Sequence, residues 1–299
     1  MAYFNEVNVV ESGFRSTQWR QLTFAVVGMG LIGGSYAKAL RRLGVKKIIG
    51  VDTDLQALRQ AQQQGLVDVG IVGAGAELGQ ADVVICSVYP AATLGFVASA
   101  AAFLKDDVLI TDATGIKGSL PEDVQGLLTG RMEFIAGHPM AGRQGSGLGM
   151  SQAEIFDGAN YIVVPAAFNS REAVDWLQAF ARALGCGQVV EVAAAEHDRI
   201  IAYTSNLPHA LAVALINSAS YNEHTKYFIA GSFRDGTRVA DINHYLWSDL
   251  FLANRDNVLQ ELAALRQQLD RWSEALAAND AEALQQMMQA AAAKRKDLY

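Results

Sequence analysis

The chain has 299 residues, 51% of them apolar and 18% charged, with a net charge of −7. That length accommodates two domains of ordinary size, each with its own core, and the balance is that of a globular protein rather than a disordered or fibrous one. An acidic sequence with no long block of lysine and arginine lacks the footprint of a nucleic-acid or anionic-membrane binder, and no run of about 18 apolar residues suggests a membrane span.

Residues 1–21 form an N-terminal extension whose charges break up short apolar stretches, read as neither signal peptide nor anchor. From Leu22, β-branched runs alternate with amphipathic helical stretches, the pattern of a parallel, doubly wound α/β sheet. Strands are expected over 22–28, 47–52, 81–88, 108–114, 132–137, 159–165 and 188–192, and helices over 32–43, 55–64, 91–104 and 171–184. After about Ala193 the alternation stops. A helix over 194–220, kinked by Pro208, is followed by helices over 249–276 and 282–293. This places one domain at 22–193 and an all-helical one at 194–299, rich enough in alanine and leucine on successive faces to pack on a second copy. The chain ends at Tyr299 soon after these helices, so no appended regulatory module is expected. Cys86 and Cys186 have no CxxC partner, which fits a reducing compartment, and a cytoplasmic location is expected.

Gly28-Met29-Gly30-Leu31-Ile32-Gly33 follows the first strand and opens the first helix, and the next strand ends in Val51-Asp52. The first glycine allows the tight turn, the second lets backbone approach a pyrophosphate, and the third lets helix and strand pack closely. The free N–H groups at Leu31 and Ile32 and the helix dipole favour the phosphates. Asp52 suits the ribose hydroxyls of NAD and repels the 2′-phosphate of NADP, and no arginine follows it closely. NAD is therefore the expected cofactor.

His138 stands at the end of the fifth strand in His-Pro-Met-Ala-Gly, on the carboxyl edge where open α/β sheets bind ligands. Position alone leaves a turn histidine and a reacting imidazole both open. Gly142, Gly145, Gly147 and Gly149 are expected to make the following loop mobile enough to close over a substrate. His197, His224 and His244 have no metal-ligand spacing and are read as structural, so no metal is expected.

Gly28 to Gly33, Thr111-Asp112 with Lys117, His138 to Gly142, Ser205 to His209 and Phe233 to Ala240 resemble, in order and spacing, the prephenate/arogenate dehydrogenases of tyrosine biosynthesis. The resemblance runs from about Leu22 to at least Asn257. It implies a Rossmann-type domain followed by a helical dimerisation domain, and NAD-dependent oxidative decarboxylation of prephenate to 4-hydroxyphenylpyruvate by a homodimer. His138 matches the family's catalytic histidine and His209 a second histidine of the pocket; Arg238 matches a carboxylate clamp and Trp247 an aromatic that helps close the site. His209 also reads as a capping or core histidine, Trp247 as core, and Arg234 as either a neighbour of Arg238 or a partner of Asp235. Where the family commonly has Gly-Ser-Val-Lys, this chain has Thr114-Gly115-Ile116-Lys117, so Thr114 is the expected source of a substrate hydroxyl contact. Gln144 after Arg143, where relatives often carry an acid, favours prephenate over the ammonium-bearing arogenate. The same chemistry on arogenate or 4-amino-4-deoxyprephenate, and a catalytically inactive nucleotide-sensing protein, are the alternatives.

Overall fold

The computed structural model describes residues 18–143 and 145–298, so what the sequence suggests for residues 1–17 and for Gln144 lies outside the described residues. The chain divides into two compact units between Asp198 and Arg199.

The first unit is built on an eight-stranded sheet: β1 (Thr23–Val27), β2 (Lys47–Val51), β3 (Val69–Ile71), β4 (Val83–Cys86), β5 (Leu109–Asp112), β6 (Glu133–Pro139), β7 (Tyr161–Val164) and β8 (Val189–Glu191). Their spatial order is β3-β2-β1-β4-β5-β6-β7-β8, parallel from β3 to β6. Alternate side chains of β1 feed two cores. Phe24 and Val26 pack on one face with Tyr36 and Leu40 of α1 (Leu31–Arg42), Leu58 of α2 (Leu55–Gln63) and Phe180 of α5 (Arg171–Ala183). Ala25 and Val27 pack on the other with Val97 of α3 (Pro90–Ala100) and Leu120 and Val124 of α4 (Leu120–Gln125). Burial on both faces is why these strands read as continuous apolar runs.

Three features depart from the sequence pattern. β3 and α4 were not expected; each is short, and Val69-Gly70-Ile71 has too few side chains to signal a strand. β7 runs antiparallel to β6, and β8 is parallel to β7, so the last two strands reverse the sheet. Among its described residues the link from β6 to β7 contains two short 3-10 turns, Leu148–Met150 and Ala153–Phe156, and no crossover helix, so the chain returns in the opposite direction.

The second unit is helical. α6 (Ala194–Ile201), which begins in the first unit, runs through a π-helical turn over Ala202–Asn206 into α7 (Leu207–Ile216). Pro208 falls in the first turn of α7, directly after the π-helical turn, so its missing N–H leaves the helical run one hydrogen bond short there. The irregularity expected from Pro208 thus takes the form of a widened turn just before it. α8 (Gly231–Thr237) and α9 (His244–Ala253) follow, and the helix expected over 249–276 is broken at Asn254 before α10 (Arg255–Ala277). Asn254 is buried and donates to Asn206 Oδ1 at 3.0 Å, exchanging helical continuity for a buried amide pair. α11 (Ala281–Lys296) ends the unit. Few of its apolar side chains are buried, whereas Leu252, Leu259, Leu269 and Leu276 are exposed. A groove of about 580 Å³, lined in part by Val213, Trp247, Phe251, Leu259 and Leu262, runs along these helices. No helix among the described residues is long and apolar enough to cross a membrane.

Candidate active site

The switch point of the sheet lies between β1 and β4, where the connections leave in opposite directions and open a crevice at the carboxyl edge. The glycines of the β1–α1 turn do different work there. Gly28 has φ +87°, and a Cβ on it would lie 2.7 Å from the Ser87 carbonyl oxygen. A Cβ on Gly33 would lie 1.7 Å from the Gly28 carbonyl oxygen. Both are therefore demanded by the fold itself. Gly30 is different: it caps α1 with extended backbone, and a Cβ there would meet nothing within 4 Å. No packing in the protein requires glycine at that position, which fits the space a pyrophosphate needs above the N–H groups of Leu31 and Ile32. Gly30→Ala is accordingly expected to leave the unfolding transition unchanged and weaken dinucleotide binding by about tenfold or more, whereas Gly33→Ala lowers stability; titration calorimetry alongside thermal unfolding separates the two.

Asp52 follows β2. Its carboxylate accepts from Met29 N at 2.6 Å and Asp54 N at 2.9 Å, which ties the glycine turn to the end of β2. Asp52, Asp54, Gln56 and Gly30 line a cavity of about 370 Å³, closed on another side by Gly147, Leu148 and Gly149. Neither lysine nor arginine lines it among the described residues.

His138 is the penultimate residue of β6. The register aligns Thr111 with Ile135, so His138 lies three positions further toward the carboxyl edge. Asp112 and Lys117 fix the backbone beside it. Asp112 Oδ1 accepts from Gly137 N at 3.0 Å, and Lys117 Nζ donates to Gly137 O at 2.6 Å and to Asp112 Oδ2 at 2.7 Å. Both side chains are fully buried. Burial pulls the Lys117 ammonium below the usual lysine value, opposed by the Asp112 charge. Tyr161 closes on the same point, because a Cβ on Gly137 would lie 2.4 Å from its hydroxyl.

Thr114 is not where the sequence suggested. Its side chain is buried, and its hydroxyl donates to Asp112 and lies 3.3 Å from Lys117 Nζ, so it braces the ion pair instead of facing a ligand. The loop after His138 has Gly145 and Gly147 at φ +108° and +79°, conformations that favour glycine. Its far half is held to α1 by Lys38 Nζ donating to Ser151 O at 2.7 Å and Gln152 N donating to Ser35 Oγ at 3.0 Å.

The residue the sequence analysis passed over is His197. Its Nε2 lies 2.9 Å from His138 Nδ1, and its Nδ1 lies 2.7 Å from Asp198 Oδ1. His197 was set aside for want of metal-ligand spacing, but its partner lies 59 positions away on another element. The His-Asp dipeptide at the head of a helix was the local signal. Burial, followed by the charge of Lys117, holds the His138 imidazolium well below the ordinary histidine range, so the ring is neutral at neutral pH. His138 Nε2 has no hydrogen-bond partner among the described residues.

In the helical unit, His209 Nδ1 donates to Ser205 O at 2.8 Å, which leaves Nε2 as an acceptor. Its ring stacks on Trp247 with centroids 3.6 Å apart. Burial, and in smaller part the charge of Arg238, lowers the pKa of His209. Arg238 opens a single 3-10 turn after α8, is exposed, and pairs with no carboxylate among the described residues. The helical unit therefore brings His209, Trp247 and Arg238 together, while Arg234 lies exposed in the last turn of α8.

A doubly wound sheet with this glycine turn and a neutral imidazole on the same edge is the layout of a nucleotide-binding oxidoreductase. The family models for the nucleotide-binding domain and the dimerization domain of prephenate dehydrogenase match residues 36–191 and 193–290. The chain is 30% identical to the prephenate dehydrogenase of Bacillus subtilis over 268 residues, 88% of this chain and 72% of that one. Its structure is similar to that of A. aeolicus prephenate dehydrogenase in complex with hydroxyphenyl propionate and NAD+, with a TM-score of 0.85, 28% identity, and coverage of 93% of this chain and 98% of that one. Synechocystis arogenate dehydrogenase is similar at a TM-score of 0.80 and 26% identity, covering 93% of this chain and all of that one. The chain belongs to the prephenate dehydrogenase family.

Proposed function

We propose that this chain is a cytoplasmic, homodimeric enzyme of tyrosine biosynthesis that oxidatively decarboxylates prephenate to 4-hydroxyphenylpyruvate with NAD. The observation that most supports this is His138, a neutral imidazole with its Nε2 unpartnered among the described residues, at the carboxyl edge of a sheet whose first turn suits a dinucleotide. Gly28, Gly30, Leu31, Ile32 and Gly33 would hold the pyrophosphate, and Asp52 the adenosine ribose. Bound NAD supplies the hydride acceptor. His138 Nε2 takes the C4 hydroxyl proton as the C4 hydrogen leaves with its electron pair and the hydroxyl becomes a carbonyl. The bond from the ring to its carboxylate then breaks, CO2 departs, and the released pair restores aromaticity. The proton on His138 returns to the phenolate oxygen.

The substrate is a dianion, and Arg238, with no carboxylate partner among the described residues, is the proposed anchor for one carboxylate, supported by His209 and Trp247 beside it. The apolar groove of the helical unit, together with the match to a dimerization domain, supports a second copy as its cover. Asp52 and Asp54 disfavour a 2′-phosphate by a repulsion of about 1–4 kcal/mol per charge at ~4 Å. Steady-state turnover with NAD or NADP against prephenate, arogenate and 4-amino-4-deoxyprephenate tests the proposal. Prephenate with NAD is expected to give the highest kcat/KM, with NAD preferred by about tenfold or more. Equal values for the two cofactors would remove the role given to Asp52, and turnover of arogenate alone would reassign the substrate.

A further inference from the structure

A histidine can serve as a base through Nε2 only while its proton resides on Nδ1, and an isolated imidazole exchanges the proton between the two nitrogens. The surroundings of His138 remove that freedom. Asp198 receives backbone N–H bonds from Lys117 at 2.9 Å and Gly118 at 2.7 Å, one on each carboxylate oxygen. Burial works against its charge, but the hydrogen bonds from His197 and these two amides hold it below the usual carboxylate range. An ionised Asp198 only accepts hydrogen bonds, so the 2.7 Å contact from its Oδ1 requires the proton of His197 on Nδ1. When Nδ1 carries the only proton of His197, its Nε2 offers a lone pair, and the 2.9 Å contact places the proton of His138 on Nδ1. Three short steps thus lead from two backbone amides to the lone pair on His138 Nε2.

Resting on His138 as the base, we propose that His197 and Asp198 are positioning residues which lock His138 in its Nδ1–H tautomer and keep Nε2 unprotonated toward the substrate. Neither touches the reacting atoms in this scheme. The charged groups facing the pair are few: Lys117, whose ammonium opposes any second positive charge on the imidazoles, its partner Asp112, and Asp198 itself. Protonation of His197 would make its Nε2 a donor, reverse the contact to His138, and place the His138 proton on Nε2.

Two measurements test the assignment. The first uses the unsubstituted protein labelled with 15N-histidine: His138 is expected to show a protonated Nδ1 and an unprotonated Nε2 above the imidazole titration, and the opposite tautomer would overturn the proposal. The second compares His197→Leu with His197→Gln. The leucine variant has no acceptor for His138 Nδ1 and is expected to lose about 100-fold or more in kcat with little change in KM. The glutamine carbonyl can accept that proton, and its variant is expected to recover most of the loss. Equal kcat in both variants and in the parent would sink the proposal. His138→Asn separates the two layers: an active His138→Asn enzyme refutes His138 as the base, whereas the labelled spectrum decides the tautomer lock on its own.

Discussion

Replacing His138 with asparagine is expected to lower kcat by about 10²–10⁴-fold, while calorimetric titration finds the affinity for NAD unchanged. The carboxamide can still hydrogen-bond a hydroxyl, but it cannot hold the proton as hydride departs. The glycine turn and Asp52 belong to β1, α1 and the end of β2, which His138 does not support, so nucleotide binding should survive. The same residue fixes a pH dependence. Burial and the nearby charge of Lys117 hold its folded pKa well below the usual value, and an unfolded histidine titrates near ~6.5. In the window from about 6.5 down to that lower value the unfolded chain binds a proton that the folded one does not, so the stability present above the window is lost as pH falls through it. The acid limb of kcat/KM is expected below pH ~6.5 for the same reason. Full activity of the asparagine variant, or an acid limb above that pH, would contradict the assignment.

Lys117→Met is expected to cost about 3–5 kcal/mol of stability, read as a fall in the urea midpoint at constant slope. The methionine fills similar volume but leaves the carboxylate of Asp112 fully buried without its cation, and Gly137 O without its donor. Native proteins are stable by only about 5–15 kcal/mol, so this single side chain accounts for a large part of the margin. Asp112→Asn in the same protein is expected to recover part of the loss. It removes the stranded charge, yet an asparagine oxygen can still accept from Gly137 N, where Asp112 now accepts at 3.0 Å. A loss under about 1 kcal/mol in the single variant would mean that the pair contributes little.

Much of this arrangement was legible in the residues themselves, because the signals were local. Gly28 to Gly33 stand between a strand and a helix, and Asp52 follows the next strand, as their spacing suggests. His138 was singled out by its place at the carboxyl end of a strand, where the structure also puts it. What escaped depended on distant contacts. His197 acquires its meaning from a nitrogen on β6, and Thr114 loses a ligand role because Asp112 and Lys117 claim its hydroxyl. The reversal at β7 is set by the route of the link that precedes it, not by the apolar run of Tyr161–Val164, which suits either direction. Asn254 breaks a helix that periodicity would continue, since its amide finds Asn206 some 48 positions earlier.

The segment between β6 and β7 has a mechanical consequence. It follows His138, supplies Gly147, Leu148 and Gly149 to the wall of the Asp52 cavity, and is then fastened to α1 at Ser35 and Lys38. The helix proposed to receive the pyrophosphate and the strand that carries the proposed base are therefore tied together by the hydrogen bonds of this segment. A Cβ on Gly34 would already lie 2.5 Å from Leu148 Cδ1, which shows how little play the brace allows. On the proposed roles, the alignment of the two would be inherited from folding.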